Sequence, residues 1–376
     1  MEMILENARV VLPDRLIEGW VAVRGGLIEA LGSGPAPARG LDLAGDILIP
    51  GLVELHTDNL EGHVRPRPKV RWHLPSAVLA YDAQLASAGI TTVFDSLRVG
   101  SEDNDTLGAE TLDLAEAIAQ AQAAQMLRAE HFTHLRCEIC THDVVEGTRA
   151  FLERYPVQLL SLMDHTPGQR QFRDVEKLLV YYRGKGRPEE ELQAFVADKK
   201  RRQADFGQAH RDALVALARG RGIALASHDD ATLEEVAQAK ADGASVAEFP
   251  VTLEAAQAAR ASGIAVLMGA PNLVRGGSHS GNIAAIELAE AGHLDILSSD
   301  YVPGSLIQGA FELTQRLPQI ALPAAIATVT DAPARAAGLT DRGRIAPGLR
   351  ADFVRVRLVG PQPVVRSVWR QGERVA

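Results

Sequence analysis

Residues 47–58 read ILIPGLVELHTD: an apolar run, the pair Pro50-Gly51, and a second apolar run that ends in His56 and Asp58. A short apolar run bounded by turn residues has the signature of a strand buried on both faces. His56 and Asp58 are two apart, so on an extended strand they point the same way. Seven further runs of this kind follow: Ile90–Asp95, His134–Glu138, Val157–Asp164, Ile223–His228, Ser245–Phe249, Ile264–Gly269 and Leu294–Ser298. The stretches between them, such as Leu107–Arg128, Glu189–Arg219, Leu233–Ala241 and Ala284–Ala291, are rich in the good helix formers Ala, Leu, Glu and Gln. Thr232 followed by Glu235 has the spacing of a capping box. Alternating strands and helices imply βα units on a parallel sheet. Eight such runs match the closed (β/α)8 TIM barrel of the α/β class, with a doubly wound open sheet as the alternative.

The two chain ends have a different texture. Ile4–Val11, Trp20–Val23 and Leu27–Leu31 are apolar or alternating, punctuated by Gly25-Gly26. Phe353–Leu358 and Val364–Trp369 are also β-rich, with turns at Gly343, Gly348 and Gln371-Gly372. These ends predict one small β-sandwich built from residues 1–49 plus 340–376, with the barrel on 50–339. A barrel of about 250 residues plus such an appendage fits a chain of 376 residues.

The composition is that of an ordinary globular protein, 46% hydrophobic with a mean hydropathy of −0.03. A net charge of −9 makes the chain a poor partner for nucleic acid or an anionic membrane, so an anionic substrate needs a local basic patch. There is no 18-residue apolar run, and MEMILENARVV carries acids where a secretory leader is basic. The two cysteines, Cys137 and Cys140, make no disulfide framework, and Cys-x-x-Cys without a second pair or a thioredoxin-like setting is a weak redox or zinc signal. A cytoplasmic protein is expected, and a homo-oligomer stays open. The run Lys199-Lys200-Arg201-Arg202 reads as a solvated helix face.

The informative residues stand where the apolar runs end. GLVELHTD ends in His56 and Asp58, HLRCE in Glu138, LLSLMDH in His165, IALASHDD in His228 and Asp229, and LDILSSD in Asp300. In a parallel barrel all strand C-termini meet at one face, where active sites lie. One His or Asp after a strand is commonly a packed residue or a helix cap. Five strand ends carrying imidazoles and carboxylates together form a ligand mix suited to zinc, and tolerable for manganese or iron.

With these residues in view, the chain resembles the amidohydrolase superfamily. ILIPGLVELHTD is similar to its first-strand motif, and GRIAPGLRADFVRV to its return into the small β domain. A narrower likeness runs through LHTDNLEGHVRPRP, AGITTVFDSLRVG, HLRCEI, SLMDHTPGQRQF, ASHDDAT, AEFPVT, GAPNLVRGGSHSGN and SSDYVP. These blocks resemble the diphosphatases of alkylphosphonate utilisation, which act in the carbon–phosphorus lyase pathway. That resemblance implies hydrolysis of α-D-ribose 1-methylphosphonate 5-triphosphate to the 5-phosphate and pyrophosphate. Two departures from the wider superfamily are visible: Asp58 replaces its second first-strand histidine, and Glu138 stands in for its bridging modified lysine. The superfamily takes its two single histidines from strands five and six, whereas His165 and His228 follow the fourth and fifth runs here.

The resemblance implies one or two divalent metal ions, zinc first, with manganese or iron as alternatives. The expected ligands are His56, Asp58, Glu138, His165 and His228, and Asp300 is the expected general base and acid. Arg65, Arg67, Arg98 and Arg170 follow the first, second and fourth runs, and Asn272, Arg275, Ser278 and His279 lie in the glycine-rich loop after the seventh. Together they are the expected binding residues for a small anionic sugar phosphate. The competing functions are opening of a cyclic amide or cleavage of another C–N bond on the same scaffold, which needs fewer loop cations, and a non-catalytic scaffold. A scaffold that had lost its chemistry would not keep the whole ligand set.

Overall fold

The structure, a computed structural model, describes residues 3–100, 110–173, 175, 179, 183, 188–278 and 281–376. Five strands come first: β1 (Met3–Val11), β2 (Leu16–Arg24), β3 (Leu27–Ser33), β4 (Leu41–Asp42) and β5 (Ile47–Pro50). The central eight are β6 (Leu52–Thr57), β7 (Ile90–Val99), β8 (Glu130–Glu138), β9 (Leu159–Met163), β10 (Ala224–His228), β11 (Ala244–Glu248), β12 (Ala265–Gly269) and β13 (Ile296–Ser298). The last three are β14 (Phe353–Val359), β15 (Gln362–Arg370) and β16 (Glu373–Arg374).

Strands β6 to β13 pair in sequence order, each parallel to the next. Each of the eight runs read from the sequence is one of these strands, and His165 and His228 do follow strands four and five of the barrel. Val53, Phe94, Leu159, Ala226, Val246, Leu267 and Ile296 come from seven strands yet form one buried cluster. Only the interior of a closed barrel brings them together. The seam between β13 and β6 is closed partly by a side chain. Glu54 accepts from the backbone N–H of His56 (2.7 Å) and of Ser299 (2.6 Å). Above it, Asp300 N–H donates to the His56 carbonyl and Asp58 N–H to the Asp300 carbonyl, both at 3.1 Å.

The chain crosses from the terminal sheet into the barrel at Gly51. A Cβ there would lie 2.2 Å from Thr91 Oγ1 and 2.9 Å from Asp352 Cβ, so the Pro-Gly step admits no larger residue. The terminal strands form one sheet in the order β16-β15-β14-β5-β1-β2-β3, with β4 on β1. Its β3 side folds back towards β14 and β15: Ala351 N–H donates to the Gly26 carbonyl (2.9 Å), and Leu5, Val21, Ile28, Phe353 and Trp369 share one core. The expected small β-sandwich is therefore one sheet folded over a shared core.

The helices follow the sequence signals. Thr232 accepts from Glu235 N–H at 3.3 Å, and the Glu235 carboxylate accepts from Thr232 N–H at 3.1 Å. This is the expected capping box. The basic run is only half solvated. Lys200 and Arg201 are exposed, but Lys199 is buried with its Nζ 5.5 Å from the Phe195 ring centroid, and Arg202 pairs with Asp198 at 2.6 Å. Helical periodicity turns Lys199 inward, where its aliphatic stem covers apolar surface.

Candidate metal centre

The strand ends converge as expected. β6 stops at Thr57, and Asp58 is already in the turn (φ −102°, ψ 15°) as the N-cap of the helix Asn59–Val64. The expectation that His56 and Asp58 share one strand face is therefore replaced. Backbone bonding to Asp300 holds both residues at the mouth. The Asp58 carboxylate faces Arg136, whose Nη1 is 3.4 Å away.

Two imidazoles are held from below. His56 Nδ1 is 2.8 Å from Glu248 Oε1, His228 Nδ1 is 2.9 Å from Glu248 Oε2, and the two rings stack at 5.7 Å between centroids. Their Nε2 atoms are left for other partners. His228 Nε2 lies 3.4 Å from Asp229 Oδ2, and His165 Nε2 lies 3.8 Å from the same oxygen. His165 Nδ1 is 2.5 Å from Glu138 Oε2, which ties the end of β8 to this cluster. One ligand atom from each of His165, His228 and Asp229 lies within 4.8 Å of the others, and Asp229 Oδ2 is buried with no hydrogen-bond partner among the described residues. A buried, unbonded carboxylate oxygen beside two imidazole nitrogens is costly by itself and suits a divalent cation.

A second grouping within the same distance is His56, His134 and Glu248, and a third is Glu138, Cys140 and Asp164. In the third, burial and the neighbouring Asp164 and Glu138 carboxylates push the Cys140 thiol far up, so without a cation it stays neutral. Cys137 is buried, with its Sγ 3.4 Å from Thr148 Oγ1 on the helix Val144–Leu152, and burial pushes its thiol up to about 12. Neither cysteine has a reactive setting.

The backbone at the mouth is strained. Asp229 (φ 55°), Phe249 (φ 54°) and Asp300 (φ 53°), which follow β10, β11 and β13, all adopt left-handed conformations that cost non-glycine residues on the order of 1–3 kcal/mol each. Phe249 stands edge-on to His56 (4.9 Å) and His228 (5.4 Å) and walls the pair. Burial and the nearby Asp58 carboxylate push Asp300 up to about 6, against the opposing pull of His56 and Arg136. Burial also pushes His134 down to about 3 and lowers His228, so both rings are neutral. Glu248 is the reverse case: burial would raise it, but His56, His134 and the bond from His228 hold it well below the usual carboxylate range.

The expected substrate residues divide. Arg65 and Arg98 are half-buried and paired with carboxylates, 3.4 Å from Glu110 and 2.9 Å from Glu61 respectively. Arg67 and Arg275 are exposed, and Ser278 is half-buried. Asn272 and Arg275 lie in a short helix, Ala270–Arg275, and not in the expected loop, and Asn272 Oδ1 accepts from Ala285 N–H at 2.9 Å. His279 lies outside the described residues. Arg170 departs from expectation. It is buried, with Nη1 donating to the His228 carbonyl (2.8 Å) and to Asp230 (2.6 Å), so it stiffens the loop after β10 instead of facing solvent.

Three participants escape the strand-end reading. Glu248 ends the sixth barrel strand but looks like one acid in a short apolar run. His134 and Arg136 precede Glu138 by four and two positions, and period-two alternation places all three on one strand face. Arg136 is 7% exposed, and its Nε has no hydrogen-bond partner among the described residues.

Comparison with known proteins agrees with this architecture. A family model described as the amidohydrolase family matches residues 77–376. The chain is 45% identical, over 99% of its length and 100% of the relative's, to α-D-ribose 1-methylphosphonate 5-triphosphate diphosphatase of Escherichia coli (strain K12). Among solved structures it resembles N-acetyl-D-glucosamine-6-phosphate deacetylase from Mycobacterium smegmatis (TM-score 0.67, 18% identity, all of both chains). It also resembles 5-methylcytosine deaminase from Klebsiella pneumoniae liganded with 5-fluorocytosine (TM-score 0.67, 17% identity, 100% of this chain and 97% of that one). At such identities the two structures speak for the fold alone. The barrel, its ligand-rich mouth and the matched family together lead to one conclusion: this chain belongs to the amidohydrolase family.

Proposed function

We propose that this chain hydrolyses the 5-triphosphate of α-D-ribose 1-methylphosphonate between its α and β phosphates, giving the 5-phosphate and pyrophosphate in phosphonate catabolism. The observation that carries this reading is the 45% identity to the Escherichia coli diphosphatase, which spans 99% of the chain. The chemistry of the mouth is compatible with it.

His56, His165 and His228, with Asp58, Glu138 and Asp229, are the residues that would hold one or two divalent ions, zinc being the proposed metal. Such an ion supplies an activated water and polarises a phosphoryl oxygen. The chain's own residues do the rest. Asp300, pushed up to about 6, is ionised near neutrality yet close enough in pKa to accept a proton from the attacking water and pass it on. Arg136, buried beside Asp58 with no partner for its Nε among the described residues, can donate to a phosphoryl oxygen in a place from which water is largely excluded. Arg65, Arg67, Arg98 and Arg275 lie at or beyond the C-terminal ends of barrel strands and would supply the local positive charge that a triphosphate requires on a chain of net charge −9, Arg65 and Arg98 by exchanging their present carboxylate partners for phosphate.

The test is pyrophosphate release from the triphosphate by zinc- or manganese-loaded protein, with cyclic amides assayed in parallel. Release from the triphosphate supports the reading. Turnover of a cyclic amide and none of the triphosphate overturns it.

A further inference from the structure

Glu248 ends the sixth barrel strand, fully buried, and its carboxylate is the meeting point of the site's deepest hydrogen bonds. Its Oε1 lies 2.8 Å from His56 Nδ1, its Oε2 lies 2.9 Å from His228 Nδ1, and Ser161 Oγ donates to Oε2 at 2.6 Å. We propose that Glu248 is a positioning residue which fixes His56 and His228 in the same tautomer, protonated on Nδ1, so that both present an Nε2 lone pair to the mouth. This inference rests on the reading of His56 and His228 as metal ligands.

A neutral imidazole carries its proton on one nitrogen and a lone pair on the other. An ionised carboxylate can only accept, so a ring whose Nδ1 faces it is protonated there and bare at Nε2. Here one carboxylate does this for two rings, one at each oxygen. The rings come from β6 and β10, which are not neighbours in the barrel, and Glu248 reaches both from β11. Their stacking at 5.7 Å with 23° between planes follows from bonding to two oxygens of one planar group. Phe249 packs edge-on against both rings and blocks rotation away from that plane.

Charge and geometry make the residue hard to replace. A carboxamide of the same shape has one accepting oxygen and one donating NH2. In Glu248→Gln the amide nitrogen would confront an Nδ1–H at one of the two rings. That ring relieves the clash by moving its proton to Nε2, which removes the lone pair a metal needs. A Glu248 that merely filled space would tolerate this near-isosteric change.

The experiment uses protein with ¹⁵N-labelled histidine, metal-free and zinc-loaded, and reads tautomers from two-bond ¹H–¹⁵N correlations. His56→Gln and His228→Gln variants assign the two rings. In the wild type both rings are expected to be protonated on Nδ1 in either state, and this reading needs no variant at position 248 to fold. In Glu248→Gln one ring is expected to switch to Nε2–H in the metal-free protein. Cobalt(II) affinity, followed by its visible absorption, is expected to fall roughly 10–100-fold. A wild-type ring protonated on Nε2, or a Glu248→Gln protein that binds cobalt as tightly as wild type, overturns the proposal. Neither readout depends on turnover, so a wrong substrate assignment leaves the tautomer result standing.

Discussion

A buried charge cluster away from the mouth gives the sharpest stability prediction. His131 on β8 is fully enclosed, with Nδ1 2.9 Å from Asp95 on β7 and Nε2 3.3 Å from Asp82 on the helix Leu74–Ser87. Both ring nitrogens face carboxylates, so both carry protons. Burial alone would lower its pKa, but Asp95 and Asp82 outweigh that and push it up to about 9. In the unfolded chain a histidine titrates near its ordinary value of about 6.5. The folded pKa is the higher one, so the stabilisation is fully present below about pH 6.5 and is lost as the pH rises through about 9. A displacement from about 6.5 to about 9 corresponds to about 3 kcal/mol. Unfolding entropy of roughly 2.1 cal/mol/K per residue converts this to a Tm change of about 4 °C for a chain of this length. The assay is thermal unfolding of wild type and His131→Asn between pH 6 and 10. Wild type is expected to exceed the variant most at pH 6 and to lose most of that advantage by pH 10. A difference in Tm that stays constant across this range refutes a buried imidazolium.

Other outcomes follow from the site. Asp300→Asn is expected to keep its metal, measured by elemental analysis, while kcat falls about 10²–10⁴-fold through loss of the proton acceptor. Arg275→Gln is expected to raise KM for the triphosphate far more than for an uncharged surrogate, whereas equal effects would refute an anion-binding role. Arg170→Met, by contrast, is expected to lower Tm and metal affinity, because the end of β10 at His228 and the turn with Asp230 that follows it loosen, with no preference between charged and uncharged substrates. Thr232→Ala is expected to destabilise by about 1 kcal/mol, the ordinary cost of a lost helix N-cap, which denaturant unfolding can detect.

The barrel was legible because each strand is a short apolar run closed by turn residues, and buried parallel strands show little else. The mouth was legible for the same reason: His56, Glu138, His165, His228 and Asp300 all end such runs. What local pattern does not carry is partnership across the barrel. Arg170 looks like a loop cation in sequence, yet its ion-pair partner Asp230 is 60 positions away. Glu248 meets His56 across 192 positions. Asp58 fails the simple two-residue rule because β6 ends one residue before it, where the chain turns into a helix. His134 and Arg136 were within reach of period-two reasoning applied backwards from Glu138.

Cleavage of a phosphoanhydride by water at the mouth of this barrel can be followed by ³¹P NMR of the zinc-loaded protein with α-D-ribose 1-methylphosphonate 5-triphosphate in ¹⁸O-enriched water. The expected result is conversion to the 5-phosphate and pyrophosphate, one ¹⁸O entering a single product, with conversion abolished or strongly slowed in Asp300→Asn. An unchanged triphosphate spectrum from metal-loaded wild type, or turnover undiminished in Asp300→Asn, would contradict it.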